Sequence, residues 1–546
     1  MEQQTITLKG KRSSLTAGAT ALAAMLAAAQ LSFAGSDFNL GAGVQTVNPR
    51  VGHPDNVLPP GFSLRLLAHG EDPIENPSGV IKQYGFLTTG TRTEPDENTY
   101  LVFDHNPGGP TPGYEYGRQF IFQGHENGGD LAYLTRINLE VTDPAHRITL
   151  LTPVGTDGLT HFNSIDGSTW NPHTKTLLFT QEAGTNGGVV EISPKWGSTA
   201  RTLYGILGRG GYEGIHPDNR GNLIILEDVG GTGVSIDPNN PNGPTKTARL
   251  PNSFVYRFVP SDPSDLSAGG KLQALQVSIE GQAVTFVPID ASHLFGDVFS
   301  NNQLKLHTPG TSWPVKWVTV HDTAVDGTAS FDANAAAKKA GATPFKRPEN
   351  AQFLPGSGFN TFFFDPTGDT DATAGNVPAL AARGSWGSIF RVDFNKEDDA
   401  RNRDDSESAA GKISIFVLGD QFHASFDNLT FVDEHTLLAA EDRGDTLHAQ
   451  LNMLDSVWAY NVRKPNSQGV RFIALGRDSQ SEVAGEDNEP TGLHASDGDT
   501  SVQGLIGKPL NPEDRRLFFT QQHGDNQLWE IQGQTQNSPK KDKEGK

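Results

Sequence analysis

The sequence predicts an all-β fold, a six-bladed β-propeller with long inserted loops and a few short helices. Three observations lead there. The first is a unit seen at Thr176–Ile192: a β-forming apolar run, an acidic residue where it ends, a Gly/Asn-rich turn and a returning β-forming run. The same pattern recurs from Tyr116, from Gly221 with its return SFVYRFVP, and from Asn360 with its return WGSIFRVDF. It recurs again in HTLLAAEDRGD with its return DSVWAYNV, and in RRLFFTQQHGDNQLWEI near the C-terminal end. The second is composition, with 61 Gly and 34 Pro in 546 residues, which suits many short strands joined by turns. The third is spacing, roughly 80 residues per unit, room for a four-stranded blade and one long loop.

Taken in order, residues 1–34 form an export signal. Lys9, Lys11 and Arg12 precede the uncharged run Leu15–Ala34, which ends on small residues. The alternative is a membrane anchor, for which the run is long enough. Residues 35–536 are expected to form one propeller, and 537–546 a disordered tail. Gly35 to about Pro60 should wrap or close the ring, and Phe62–Leu67 is the first strand. The stretches Asn106–Gly113, Asp237–Lys246 and Lys396–Ser408 read as loops. Ala333–Ala340 reads as a helix with Asp332 as its N-cap and Gly341 as its stop.

The formal charge is −21, and residues 1–34 carry +2, which leaves −23 for the remainder. Such a surface repels nucleic acid and anionic lipid, so neither is expected as a partner. The acidic excess serves solubility alone, or it is partly neutralised by divalent cations, which favour oxygen ligands. Cysteine is absent, which excludes disulfides, thiolate ligands and cysteine nucleophiles. Serine-elbow, Walker A, H-E-x-x-H and complete EF-hand motifs are also missing, which weakens the hydrolase classes built on them.

The chemistry is expected in acidic residues at strand ends and in short Gly-flanked loops: Glu126, Glu182, Glu213, Asp228, Glu349 and Glu441. Any one alone reads as a solvated turn carboxylate. Six in comparable places would repel one another at the mouth of a ring unless cations lay between them. Arg347, linked to Glu349 through Pro348, can aim a guanidinium fork at an anion or form a salt bridge across the ring. His125 and His523, at equivalent strand ends, read as hydrogen-bonded histidines, with ligand or proton-donor roles as the alternative.

Seven short segments occur in an order that resembles the PhoX-type alkaline phosphatases: Gly124-His125-Glu126, Thr180-Gln181-Glu182, Gly208-Arg209 with Glu213, Glu227-Asp228, Arg347-Pro348-Glu349, Asp427-Asn428-Leu429-Thr430 and Gln522-His523. The resemblance implies a six-bladed propeller with a calcium and iron cluster at one end of its channel, hydrolysing phosphate monoesters outside the cytoplasm. By the same resemblance Glu182, Glu213 and Glu349 look like cluster ligands, Asp228 like a calcium ligand and Arg347 like a phosphate-binding residue, with Glu126 and Glu441 as further candidates. The family's cysteine ligand is replaced here by the segment Asn163-Ser164-Ile165-Asp166-Gly167, in which Asp166 offers a hard oxygen instead. Calcium is therefore the expected ion, with manganese as the alternative, and Fe³⁺, a further candidate, loses its thiolate.

The function expected is an exported, monomeric, metal-dependent phosphatase, periplasmic or secreted, acting on a small-molecule phosphate ester without stable membrane insertion after signal cleavage. The alternatives are a calcium-stabilised propeller that binds an envelope partner or ligand, and a related hydrolase of diesters or lactones.

Overall fold

The computed structural model describes residues 38, 40–243, 246–394, 411–478, 488–502 and 514–533. The expected export signal, the charged loop at 396–408 and the C-terminal tail lie outside these residues. The described chain is mostly antiparallel β-sheet with a few short helices.

Four sheets are four-stranded antiparallel meanders. In chain order three of them run Glu94–Val102 to Ile148–Leu150, Ile165–Asn171 to Ala200–Thr202, and Phe426–Phe431 to Val470–Ala474. The fourth joins Glu489–Ser496, Arg516–Gln522 and Gln527–Gln532 to the N-terminal strand Ser63–Ala68. The two ends of the described chain are thus stitched into one sheet, which removes an exposed edge. Residues before this strand reinforce the seam: Val57 pairs with Ala474, and Asn48 donates to the carbonyl of Leu475 at 2.8 Å.

A longer sheet contains two further meanders. One begins at Tyr212–Pro217 and ends at Gly270–Ile279, the other begins at Pro348–Phe353 and ends at Gly411–Leu418. The strand Trp313–Asp322 pairs with both outer strands and fuses the two. The helix Ala333–Ala340 follows, with the Asp332 carboxylate accepting from Ala335 N–H and Gly341 left-handed at φ 75°, as its sequence predicts. All six two-strand units read in the sequence are antiparallel pairs.

The opening strands of the six meanders touch in cyclic order, each packed on the next and the sixth on the first. Side chains cross these contacts: Thr99 meets Ser168 at 2.8 Å, His216 meets Asn350 at 3.1 Å, and Asn98 donates to the Gly492 carbonyl at 2.7 Å. The backbones run so close that a Cβ on Gly167 would sit 2.3 Å from the Glu213 carbonyl oxygen. Apolar cores fill the spaces between sheets outside this ring.

Candidate metal centre

Each of the six opening strands is interrupted at nearly the same point. Two residues drop out of register between Pro95 and Asn98, Ile165 and Ser168, Tyr212 and Ile215, Pro348 and Ala351, Phe426 and Leu429, and Thr491 and His494. Such bulges bend a strand and re-aim its side chains. The first of the two is Asp96, Asp166, Glu213, Glu349 and Asp427 in five meanders and Gly492 in the sixth. The bulges thus bring five carboxylates to one end of the ring, and Glu489 joins them from the sixth meander.

A second tier comes from the ends of four of the six second strands: Glu126, Glu182, Asp228 and Asp442. A backbone bond sets the position of three of them. Glu182 N–H donates to the Ser164 carbonyl, Asp228 N–H to Gly211 and Asp442 N–H to Ser425. The meander that begins at Pro348–Phe353 uses the same bond, from Thr367 N–H to the Arg347 carbonyl, but has a threonine where these three have an acid. Ser164, Arg347 and Ser425 adopt positive φ of 42°, 54° and 55°. Strain of this kind clusters at sites where the surrounding structure dictates the backbone.

The resulting cleft is lined by Glu94 and the ten carboxylates of the two tiers and Glu489, with Arg347, Gln522 and His523. Within it, one oxygen from each of Asp96, Glu126 and Asp166 lies within 4.8 Å of the others. The same holds for Asp166, Glu182 and Glu213, and for Glu213, Asp228 and Glu349. Asp166 and Glu213 each belong to two trios, so the three form a continuous arc around four of the six meanders. Arg347 closes the arc, its Nε donating to Asp228 at 2.7 Å and its Nη2 lying 3.5 Å from Glu349.

One guanidinium cannot balance this many acids. Burial first, and then repulsion from neighbouring carboxylates, holds Glu126, Asp166, Glu213 and Glu349 well above the usual carboxylate range. Burial also raises Asp96 to about 6 and Glu182 to about 8. Two buried acceptors, Asp228 Oδ1 and Gln522 Oε1, have no hydrogen-bond partner among the described residues. Hard oxygens in trios, charge in excess and acceptors left over suit a hard cation, so the residues present could hold a metal ion of that class.

Of the residues singled out in the sequence, Glu126, Asp166, Glu182, Glu213, Asp228, Arg347 and Glu349 meet in this cleft. Glu441 does not. Its side chain is fully buried behind the cleft, accepting from Ala424 N–H at 2.9 Å, Ser456 N–H at 3.0 Å and Arg443 Nη2 at 2.7 Å. Alternation along the strand turns the next residue, Asp442, inward instead. His125 is a buried hydrogen-bonded histidine, stacked on Tyr133 and 2.8 Å from Thr135 Oγ1. His523 lines the cleft with Nε2 at 3.1 Å from Glu489. Sequence reasoning missed Glu94, Asp96, Asp427, Asp442 and Glu489. Glu94, Asp96, Asp427 and Glu489 lie near the start of a first strand, in or beside its bulge, and Asp442 follows the end of a second strand; the recurring signal is an acid near the start of a meander's first strand.

The family model described as alkaline phosphatase PhoX matches residues 246–508. No curated protein sequence matches the chain. Among solved structures, Pseudomonas fluorescens PhoX in complex with vanadate, a transition state analogue, superposes with a TM-score of 0.55 at 13% identity, covering 90% of this chain and 98% of that one. A gluconolactonase from Xanthomonas campestris gives a TM-score of 0.36 at 11% identity, over 90% of this chain and 98% of that one. The first of these likenesses bears on the fold, and residues 246–508, just under half of the chain, match the PhoX alkaline phosphatase family, which supports a phosphoric ester hydrolase.

Proposed function

We propose that the protein is an exported phosphatase that hydrolyses phosphate monoesters at a cluster of calcium ions held at one mouth of a six-bladed propeller. The six blades are the four separate meanders and the two fused through Trp313–Asp322. The observation that carries the reading is the arc of three carboxylate trios sharing Asp166 and Glu213, with Arg347 at its end. The vanadate complex of the Pseudomonas fluorescens protein, which shares the fold, supports phosphoryl chemistry here.

The trios would hold the ions through Asp96, Glu126, Asp166, Glu182, Glu213, Asp228 and Glu349. Bound cations supply charge neutralisation and Lewis acidity for phosphoryl oxygens. The chain's own contribution is placement. Arg347 keeps two of its nitrogens on Asp228 and Glu349, which fixes the plane of the guanidinium and leaves Nη1 to donate to a phosphoryl oxygen. That donor is aimed before substrate arrives, so little reorganisation is needed when charge develops. His523, two meanders further on in the ring order, carries a hydrogen-bonded imidazole beside the same space. An all-carboxylate donor set without sulfur favours calcium over a thiolate-ligated metal.

The test is hydrolysis of an aryl phosphate by the purified protein, with calcium and with a chelator, beside the Arg347→Ala variant. Turnover that appears with calcium, disappears on chelation and collapses in the variant is the expected result. Equal rates under all three conditions would reject the reading.

A further inference from the structure

Along a strand successive side chains face opposite ways, so a residue aimed into the cleft has a neighbour aimed into its own sheet. In the four meanders with a second-tier carboxylate that neighbour is polar and buried: His125 before Glu126, Gln181 before Glu182, Glu227 before Asp228, Glu441 before Asp442. Burying four polar groups in sheets otherwise packed with Val, Leu and Phe is unfavourable unless each is bonded. Each makes at least one bond, although Glu227 Oε1 has no partner among the described residues.

Gln181 donates from Nε2 to the Asn163 carbonyl at 2.9 Å and accepts from Tyr204 Oη–H at 2.6 Å. Glu227 accepts from Phe254 N–H at 3.2 Å, Tyr256 Oη–H at 3.1 Å and Asn334 Nδ2 at 2.9 Å. His125 is held by Thr135 and Tyr133, and Glu441 by Arg443 and two backbone N–H groups. The four differ in charge and in partners, yet occupy one structural position. Their common property is attachment, from the cleft's second strand to the next strand or to the loop that enters the first.

We infer that these buried side chains are positioning residues, and that His125, Gln181 and Glu227 set the cation affinity of the carboxylate following each of them. The inference rests on the reading of the cleft as a cation site. A ligand's outer partners fix its orientation, and their loss typically weakens metal binding by roughly 10–100-fold. Here the fixing acts through the peptide that joins anchor and ligand, because the anchor's side chain leaves in the opposite direction.

Calcium titration by calorimetry of Gln181→Met, which keeps length and apolar packing but loses both bonds, provides the test. Tyr204→Phe, which deletes only the hydroxyl, serves as the second variant. Calcium affinity should fall about 10–100-fold in Gln181→Met and by a smaller factor in Tyr204→Phe, while the metal-free melting temperature falls by no more than the loss of one or two hydrogen bonds accounts for. Wild-type affinity in both variants would overturn the inference and leave the cation site standing, as would a lowered metal-free melting temperature with affinity intact. Failure of the unsubstituted protein to bind calcium would overturn both.

Discussion

Arg347, the residue before the first strand of one meander, reaches Asp228, the residue after the second strand of the preceding one, Nε to Oδ2 at 2.7 Å, although the two are 119 residues apart in sequence. The pair places the cleft's one guanidinium at the end of an arc of trios. Burial opposes its charge, but Asp228, Glu349 and Asp442 more than compensate and keep it protonated. Arg347→Ala should therefore lower kcat/KM for an aryl phosphate by about 10²–10³-fold, the usual cost of removing one preorganised donor. Arg347→Lys should recover little, because an ammonium cannot span both acids and a phosphoryl oxygen. Steady-state kinetics in saturating calcium measure both, and a loss confined to about threefold would mark the pair as structural only.

The arc also predicts unequal consequences within one residue type. Glu213 belongs to two trios, Glu126 to one. Glu213→Gln should reduce the number of tightly bound calcium ions by more than Glu126→Gln does. Elemental analysis after exhaustive dialysis counts them, and equal losses would argue against a shared, bridging carboxylate.

Raised carboxyl pKa values make the cation-free fold sensitive to alkali rather than acid. A carboxyl whose folded pKa exceeds its unfolded one favours folding while protonated, and that contribution is lost as pH rises through the folded value. With Asp96 near 6 and Glu182 near 8, melting temperature in chelator should fall steadily between about pH 4 and pH 8. Calcium, which binds the ionised forms, should reverse the slope over the same range. Melting curves at several pH values in chelator and in calcium decide it; a chelated protein whose stability rises with pH contradicts the assignment.

Much of this site could be read from the sequence because strand ends announce themselves. Apolar β-branched runs stopping at Glu126, Glu182 and Asp228 locate the cleft's second tier, and Asp332 and Gly341 delimit their helix through capping chemistry alone. The first tier was harder. Asp96, Asp427 and Glu489 lie in or beside bulges, and a two-residue break in pairing leaves no trace in hydrophobic periodicity. The choice of Glu441 over Asp442 shows the other limit. Both are acids at the same strand end, and only the register of Phe426 opposite Glu441 decides which one faces the cleft.

That register makes a last prediction about Glu441 itself. It forms a fully buried pair with Arg443, whose Nη2 also donates to the Phe422 carbonyl at 2.8 Å and whose N–H donates to Asp455. Removing one member leaves an uncompensated charge away from water, which costs about 3–5 kcal/mol. Arg443→Met should thus lower unfolding stability by about that amount in urea titrations carried out in saturating calcium. Replacing both, with Glu441→Leu added, should restore part of the loss, since two apolar side chains leave no charge stranded. A carboxylate that faces the cleft would behave otherwise: at Asp442, substitution by Asn should spare stability in chelator. If Arg443→Met proves as stable as the unsubstituted protein, Glu441 is not the clamp that its four hydrogen-bonding contacts describe.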